Sequence, residues 1–589
     1  MASRDFHVLT LLLVQQLTTV SALPTTLPTY EEALGYLTSP YLERALLVLL
    51  LLPTARALVR TLLHEGVRGL YKKVAGVLLR AMQATVPGVA GIVDAQVNKE
   101  LAGLERDMLG DGDAMAMVTM PERGASCDEV EAQMLELRGG ELKKMARQWG
   151  GIYHDVDSEL TRLQSRVWAA YNSTNALYPT VFPSLRKFES ELVSSVVGIV
   201  HGHQCGAVGL LTSGGTESVL LAALAYREAG RKRGIERPQI LCAVSAHPAI
   251  LKACAYFGME LVKLPLDPAT KRLTAATVAA NLTARTVAIY ASAPSFCHGV
   301  VDQIEELSAL ALKKGVGLHV DNCLGGFLLS YMSKEGLFTQ PWDFALPGVT
   351  TMSVDLHKYG YAPKGASVVV FRDSEMRAST LVPSSDGCEG LYVTPTLQGS
   401  RSGAVMAAAW ATLVHVGDDG YRRAAREISA CHRRLKEEVA TMEGLTLCAD
   451  ADLAIVAVCG EGGLNVYALA SLLEDKGWGI FTGQKPPTLA LPVGEQTPAR
   501  LHAMIEDLRS CLAYLKANPN TKPNGAAAVY GAAAAIPDAV IDDILRGYID
   551  IKMRVKPAAA AAGTAATATK TAAGKATKRA AKSPSRRAH

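Results

Sequence analysis

The chain has 589 residues, of which 49% are hydrophobic and 20% are charged. This length and composition exclude a disordered protein and a small protein held together by disulfides. Its formal net charge of +4 divides into +8 for residues 556–589, which contain no acid, and −4 for residues 1–555, so the body has no basic excess to bind nucleic acid. Eleven cysteines without C-x-x-C spacing argue against a disulfide framework or structural zinc and favour a reducing compartment.

Two apolar stretches lie near the N-terminus, at residues 6–23 and 45–63. The first resembles the hydrophobic part of a signal peptide, although its flank is not clearly basic. The core of the second would span about 12 Å as a helix, short of the ~20 residues that a bilayer needs. The pattern fits either a membrane anchor or a buried amphipathic helix. An anchor here would leave the next domain on the cytosolic side, because basic residues follow its apolar core at 45–52: Arg56, Arg60, Arg68, Lys72 and Lys73.

Residues 100–200 are predicted to be largely helical, with a loop at 171–183. From about residue 202, short apolar runs alternate with helical periods. The predicted strands are 240–244, 286–290, 317–320, 350–354 and 367–371, and the predicted helices include 217–230 and 305–314. Apolar strands separated by helices predict an α/β fold with a mostly parallel, seven-stranded type of sheet covered by helices on both faces.

A smaller α+β domain is predicted to follow. Its elements are helices at 404–416, 421–442 and 498–516, with strands within 446–458 and at 485–491. The Ala-, Thr- and Lys-rich tail is predicted to be disordered, and either a solvated tail or a weakly anion-binding one fits its composition. The predicted segments are an N-terminal targeting region 1–100, a helical segment 101–200, a large domain 201–402, a small domain 403–555 and the tail 556–589.

Four candidate site motifs follow predicted strands, where parallel sheets bind their ligands. Thr212-Ser213-Gly214-Gly215-Thr216 enters a helix and can cradle a phosphate with backbone N–H groups, although a plain tight turn also fits. The other three are His247, Asp321 and the pair His357-Lys358. Each alone fits a structural role, namely a lone surface His, a helix-capping Asp or an exposed turn Lys.

Taken together, the four motifs match the needs of a pyridoxal phosphate enzyme. The cup holds the cofactor phosphate, His stacks on the ring, Asp pairs with the pyridinium nitrogen and Lys forms the Schiff base. We therefore predict pyridoxal phosphate as the cofactor and a fold type I architecture. No metal site is predicted.

Longer motifs make a closer resemblance. From about residue 150 to 532, the chain resembles the sphingosine-1-phosphate lyase family in SGGTES, HVDNCLGGF, HKYGYAPKG and NPNTKPNGAAAVYG, of which HKYGYAPKG is the most discriminating. The resemblance implies that Lys358 is the Schiff-base lysine, Asp321 the ring-nitrogen partner and His247 the ring-stacking and catalytic residue. It also implies a set of cofactor-binding residues: Gly214, Gly215, Thr216, His357, Asn175, Gly399 and Ser400. The last two are expected to reach the cofactor of a partner subunit.

The family further implies a subsite for the substrate phosphate. Lys364 suits it as a flexible cation, and Tyr153 matches a family tyrosine at the active site. Tyr178 stands where the family usually has His, and Asn322 where it usually has Ala. Tyr178 can donate a hydrogen bond but carries no charge, so phosphate affinity and its pH dependence are expected to differ.

The resemblance implies retro-aldol cleavage of phosphorylated sphingoid bases to a long-chain aldehyde and phosphoethanolamine. An amino-acid decarboxylase of the same fold is the alternative, and a scaffold built around the tail is a third reading. The family also implies a homodimer with shared active sites and an endoplasmic reticulum membrane anchor, with the catalytic domain facing the cytosol.

Overall fold

A computed structural model describes residues 70–109, 120–388, 390–524, 527, 530–531 and 536–553. Two compact units divide the chain, Met1–Leu78 and Leu79–His589. The described residues of the first unit are helical and belong to the helix α1, Leu70–Thr85. The apolar stretches at 6–23 and 45–63 and the tail at 556–589 lie outside the described residues.

Within the described ranges, no single helix is long and apolar enough to cross a bilayer. The bent pair Leu70–Thr85 and Val89–Arg106 passes the same test of length and composition when its two helices are taken together.

The second unit is built on a seven-stranded sheet with the order β1-β7-β6-β5-β4-β2-β3. The strands are β1 Val208–Thr212, β2 Gln239–Ala243, β3 Glu260–Leu264, β4 Thr286–Ser292, β5 Gly317–Asp321, β6 Thr351–Asp355 and β7 Ser367–Phe371. Neighbours among β2 to β6 pair in parallel, whereas β7 runs antiparallel to both β1 and β6. Because β1 therefore points the same way as β6, the carboxyl ends of β1 to β6 meet at one edge.

Continuous apolar runs account for the burial of this sheet. The strands β2, β4, β6 and β7 are buried at every position, as expected where helices cover both faces. Leu241 and Ile289 belong to one hydrophobic core, and Ile240 and Tyr290 to another, because successive side chains on a strand point to opposite faces. The predicted α/β fold with a mostly parallel seven-stranded sheet is confirmed.

Helices precede the sheet, connect its strands and follow it. In chain order they are α2 Val89–Leu109, α3 Cys127–Met145, α4 Glu159–Tyr171, α5 Pro183–Ile199, α6 Gly215–Lys232, α7 Ala249–Tyr256, α8 Ala275–Ala279, α9 Ile304–Lys314, α10 Gly326–Lys334, α11 Ser374–Ala378, α12 Gly403–Ala440, α13 Val466–Asp475, α14 Thr497–Ala517 and α15 Asp538–Lys552. The helices predicted at 217–230 and 305–314 correspond to α6 and α9. The strands β1 and β3 were not among the predicted runs, since Gly209 interrupts one and Lys263 the other.

A second sheet toward the C-terminus has four antiparallel strands in the order β10-β11-β9-β8. They are β8 Leu445–Leu447, β9 Ile455–Gly460, β10 Phe481–Gln484 and β11 Pro487–Pro492. The strand predicted at 485–491 corresponds to β11, which begins at Pro487 because Lys485 and Pro486 form the turn of a hairpin between β10 and β11. The two helical parts predicted at 404–416 and 421–442 correspond to the two parts of α12, which are separated by non-helical backbone at Gly417, whose φ is 63° and ψ 175°.

Candidate active site

A narrow glycine cup lies between β1 and α6. A Cβ on Gly215 would lie 2.6 Å from Cys323 Sγ and 2.8 Å from Asp355 Oδ1, so only glycine fits there. Gly214 adopts a φ of 151°, and a Cβ on it would lie 3.4 Å from His357 Cε1. Gly215 and Thr216 begin α6, where backbone N–H groups point out of the helix toward an anion. The cup therefore suits a phosphate.

The buried Glu217 fixes the entry to this cup. Its Oε2 accepts hydrogen bonds from Ser213 N at 2.6 Å and Ser213 Oγ at 2.7 Å. Its Oε1 accepts one from Leu397 N at 3.0 Å, which connects the cup to the segment that carries Gly399 and Ser400. Glu217 is not among the predicted site residues, although its place in the first turn of α6 is a typical capping position.

The predicted lysine pairs with a carboxylate at the end of β6. Lys358 Nζ lies 3.0 Å from Asp355 Oδ2, and Asp355 Oδ1 is buried without a hydrogen-bond partner among the described residues. Burial opposes the charge on Lys358, but Asp355, with Cys323, Tyr153 and Asp321, outweighs it and raises the pKa of the lysine. The neighbouring carboxylate therefore favours the charged form of this amine.

His357 is oriented by the turn that carries it. Its Nδ1 accepts a hydrogen bond from Ala366 N at 3.2 Å, so Nε2 carries the proton and lies 3.5 Å from Asp355 Oδ2. Burial is the main cause that lowers the pKa of His357, with the cations of Lys364 and Lys358 contributing. The imidazole adjoins the glycine cup, where the predicted phosphate role needs it.

Asp321, the last residue of β5, is a buried carboxylate with three hydrogen-bond donors. Tyr290 OH donates to Oδ2, while Ser353 Oγ at 3.2 Å and Cys323 N at 3.1 Å donate to Oδ1. Burial alone would raise the pKa of Asp321, but the bond from Tyr290 and the charges of His247, His319 and Lys358 reverse the effect and lower it. The carboxylate stays ionised, as pairing with a pyridinium nitrogen requires.

His247 follows β2 and is exposed at the same sheet edge. Its Nδ1 accepts a hydrogen bond from Ala249 N at 3.2 Å. It lies near enough to Asp321 for a positive charge on its ring to contribute to lowering the pKa of that carboxyl. The structure thus places His247 near the predicted ring-nitrogen partner, with its imidazole open to a ligand.

Two further predicted residues lie close to Lys358. Lys364 Nζ is 4.6 Å from the centre of the Tyr153 ring and donates to His357 O at 3.0 Å. Burial, followed by the charge of Lys358, lowers the pKa of Lys364. Burial raises the pKa of Tyr153, so its phenol keeps its proton. Two cations and a phenol therefore share one side of the site.

The remaining predicted residues form a separate group. Asn175 Nδ2 donates to Ser400 Oγ at 3.0 Å, and Asn175 Oδ1 accepts from Arg401 N at 3.1 Å. Gly399 lies against Tyr392, and Tyr178 is 53% exposed. Among the described contacts of this chain, none joins these four predicted residues to Lys358 or Asp321.

The residues present fit pyridoxal phosphate group by group. The cup offers N–H donors and a neighbouring imidazole to a phosphate, Asp321 offers a buried negative charge to a ring nitrogen, and Lys358 offers an amine between them. Asp355 Oδ1, buried without a partner, marks a place where a further polar group is accommodated.

Comparison with known proteins agrees with this arrangement. Residues 162–460 match the family model of the pyridoxal-dependent decarboxylase conserved domain. The sphingosine-1-phosphate lyase of Saccharomyces cerevisiae is 35% identical over 481 residues, which cover 80% of this chain and 81% of the relative. This chain belongs to the sphingosine-1-phosphate lyase family. The Arabidopsis thaliana member of that family is 33% identical over 534 residues, which cover 88% of this chain and 97% of the length of that relative.

Solved structures support both the family and the fold. The structure of the sphingosine-1-phosphate lyase of Burkholderia pseudomallei superposes on this chain with a TM-score of 0.68 at 31% sequence identity. The superposition covers 75% of this chain and 99% of the Burkholderia chain. Glutamate decarboxylase from Lactobacillus brevis superposes on this chain with a TM-score of 0.60 at 20% sequence identity, which shows that the two proteins share a fold. As a member of the sphingosine-1-phosphate lyase family, the chain is a lyase that depends on pyridoxal phosphate.

Proposed function

We propose that this chain cleaves the bond between C2 and C3 of phosphorylated sphingoid bases in retro-aldol fashion, giving a long-chain aldehyde and phosphoethanolamine. The observation that carries the proposal is the second cation beside the reactive lysine. Lys364 lies over Tyr153 and hydrogen-bonds the segment of Lys358, where a substrate phosphate needs a positive charge.

The cofactor site is assigned to residues of one sheet edge. Gly215, Thr216 and His357 would hold the cofactor phosphate, and Asp321 would pair with the ring nitrogen. Lys358 would bond to the cofactor through Nζ. When bound, pyridoxal phosphate supplies an electron sink for the electron pair of the breaking carbon–carbon bond. Asp321, whose carboxylate accepts three hydrogen bonds, would keep a proton on the ring nitrogen.

The chain's own groups divide the remaining work. Asp355 holds a proton on Lys358 Nζ, because the ion pair favours the charged amine. Tyr153 keeps a phenolic proton beside Lys358 and Lys364, so it is a hydrogen-bond donor to substrate oxygen. Lys364 binds the phosphate and thereby positions the reacting carbons at Lys358.

Incubation with a phosphorylated sphingoid base tests the proposed reaction directly. We expect a long-chain aldehyde and phosphoethanolamine in equal amounts, detected by mass spectrometry. Release of CO₂ from an amino acid without aldehyde formation would instead support the decarboxylase alternative. A matched Lys358→Ala protein separates enzymatic aldehyde from contamination.

We also propose that the active protein is a homodimer. The segment before α12 exposes apolar side chains, with Leu391 85% exposed, Val382 80% and Leu397 56%. An exposed apolar patch on a protein surface is typical of a protein–protein interface. Light scattering should give a dimer mass for the wild type, and Leu391→Asp should shift it toward monomer. A monomeric wild-type protein with full activity would contradict the proposal.

A membrane location at the endoplasmic reticulum, with the catalytic domain facing the cytosol, is our proposal for the full chain. It is supported by the apolar residues 45–63 and by the basic residues that follow them. Protease treatment of sealed membranes should digest the catalytic domain without detergent. Protection of that domain would reverse the proposed orientation.

A further inference from the structure

Two cysteines and a histidine meet at the edge of the four-stranded sheet. Cys448 directly follows β8, and Cys459 lies in β9. Thr446 pairs with Cys459, and Cys448 N donates to Ala457 O at 2.8 Å. Because side chains alternate along strands, Cys448 and Cys459 project from the same face and are diagonal neighbours.

His298 adjoins this pair from the loop that follows β4. It is 3% exposed, and its Nδ1 is buried without a partner among the described residues. A hydrogen bond from Cys459, opposed by burial and assisted by His298 and Lys271, lowers the pKa of the Cys448 thiol. The same bond raises the pKa of Cys459. Of the two thiols, Cys448 is therefore the one whose ionisation the surroundings favour, and the thiolate is the reactive form of cysteine.

Other buried cysteines of the same chain behave differently. Cys242 and Cys254 are buried in the large domain, and burial raises the pKa of each to about 12. Burial alone thus gives inert thiols in this fold. Cys448 departs from them because Cys459 and His298 both favour its charged form.

The pair is also accessible and reduced. Cys459 is partly exposed, which opens a path for a small reagent to the more buried Cys448. All eleven cysteines belong to the described residues, and each is a free thiol. Cys448 and Cys459 are diagonal neighbours on one face of two paired strands, near enough for each to shift the pKa of the other.

We propose that Cys448 and Cys459 are a peroxide-reactive pair that closes to a disulfide between β8 and β9. The Cys448 thiolate attacks one oxygen of hydrogen peroxide, the O–O bond breaks, and hydroxide leaves and takes up a proton to become water. The sulfenic acid so formed is attacked by the sulfur of Cys459, whose proton goes to the departing hydroxyl group. The two thiols lose two electrons in all, and the peroxide is reduced to two molecules of water.

Mass spectrometry of the cofactor-loaded full chain tests this pairing. Trypsin releases both cysteines in one peptide, residues 437–476, because no Lys or Arg lies between Lys436 and Lys476. After hydrogen peroxide and then iodoacetamide, we expect this peptide to have lost two hydrogens and to carry no alkyl group, reversibly with dithiothreitol. The peptides of exposed Cys127 and buried Cys242 are the matched controls and should stay reduced.

Variants then assign the two roles. Cys459→Ser should leave Cys448 as a sulfenic acid that dimedone labels, whereas Cys448→Ser should leave Cys459 a thiol. His298→Asn should slow disulfide formation about tenfold by weakening the thiolate. Full alkylation of wild-type Cys448 and Cys459 after peroxide would overturn the proposal, and so would a disulfide from Cys448 to Cys297. The wild-type measurement decides the matter even where a variant fails to fold.

Discussion

The two halves of the candidate site are built in different ways. Around Asp321 and Lys358, charged groups find their partners within one chain, and Asp321 alone has three donors. Around Asn175 and Ser400, the neighbouring segment exposes its side chains, and Leu391 is 85% exposed. The centre of the reaction is thus preorganised by central strands. The second half has the exposed apolar surface that the proposed dimer would cover.

The largest expected effect falls on the preorganised half. Lys358→Ala should abolish turnover, by a thousandfold or more as an order of magnitude, because no other amine takes its place. The variant should also lose the cofactor label that borohydride fixes to the wild type. Lys364→Ala is the control and should keep that label. A label retained in Lys358→Ala would move the covalent role to another lysine.

Asp355→Asn should have the next largest effect on turnover. Removing the carboxylate 3.0 Å from Lys358 takes away the largest of the charges that oppose the effect of burial, so the pKa of the lysine should fall. Turnover should fall roughly ten- to a hundredfold. Cofactor uptake by the apoprotein, followed against pH, should have its midpoint at lower pH. Asp128→Asn, at an exposed carboxylate, should leave the curve unchanged, and an unmoved midpoint in Asp355→Asn would refute the assignment.

Lys364→Ala should affect binding more than chemistry. A charged hydrogen bond to phosphate is worth about 1.5–3 kcal/mol, so KM should rise roughly ten- to a hundredfold. The value of kcat should change by only about threefold, since Lys358 and Asp321 remain. Lys364→Arg should restore much of the affinity because it keeps the charge. An unchanged KM would remove Lys364 from the phosphate subsite.

The smallest effect is expected in the exposed half. Tyr178→His should lower KM a few-fold below about pH 6.5, where the imidazole is charged, and the gain should vanish near pH 8. The gain is small because Tyr178 is 53% exposed and water screens the charge. Steady-state kinetics against pH measure it, with Tyr178→Phe as the uncharged control. A gain equal at both pH values would show that charge is not its cause.

Much of the fold and of the reaction centre was predictable from sequence. Apolar runs predicted the central strands, and strand ends predicted the positions of His247, Asp321 and Lys358. The partners of these residues were not predictable, because they depend on strand order. Tyr290 in β4 and Ser353 in β6 reach Asp321 because their strands flank β5.

Other features depended on local geometry that composition does not encode. The raised pKa of Lys358 follows from a carboxylate three residues earlier, and the hairpin of β10 and β11 from a turn within an apolar run. The segment boundaries at 100, 200, 402 and 555 stay predictions. The assignments of Tyr178, Gly399 and Ser400 also stay predictions, since their described contacts lie away from Lys358.

The antiparallel course of β7 has a mechanical consequence. Asp355 pairs with Ser367, so residues 356–366, which carry Lys358 and Lys364, form a closed hairpin between two central strands. A parallel connection would need a long crossover of a dozen or more residues. A short loop anchored at both ends has little conformational entropy to lose. The two lysines therefore lie on one loop that paired strands fix at both ends, which limits the range of distances between the amine of Lys358 and the cation proposed for the phosphate subsite.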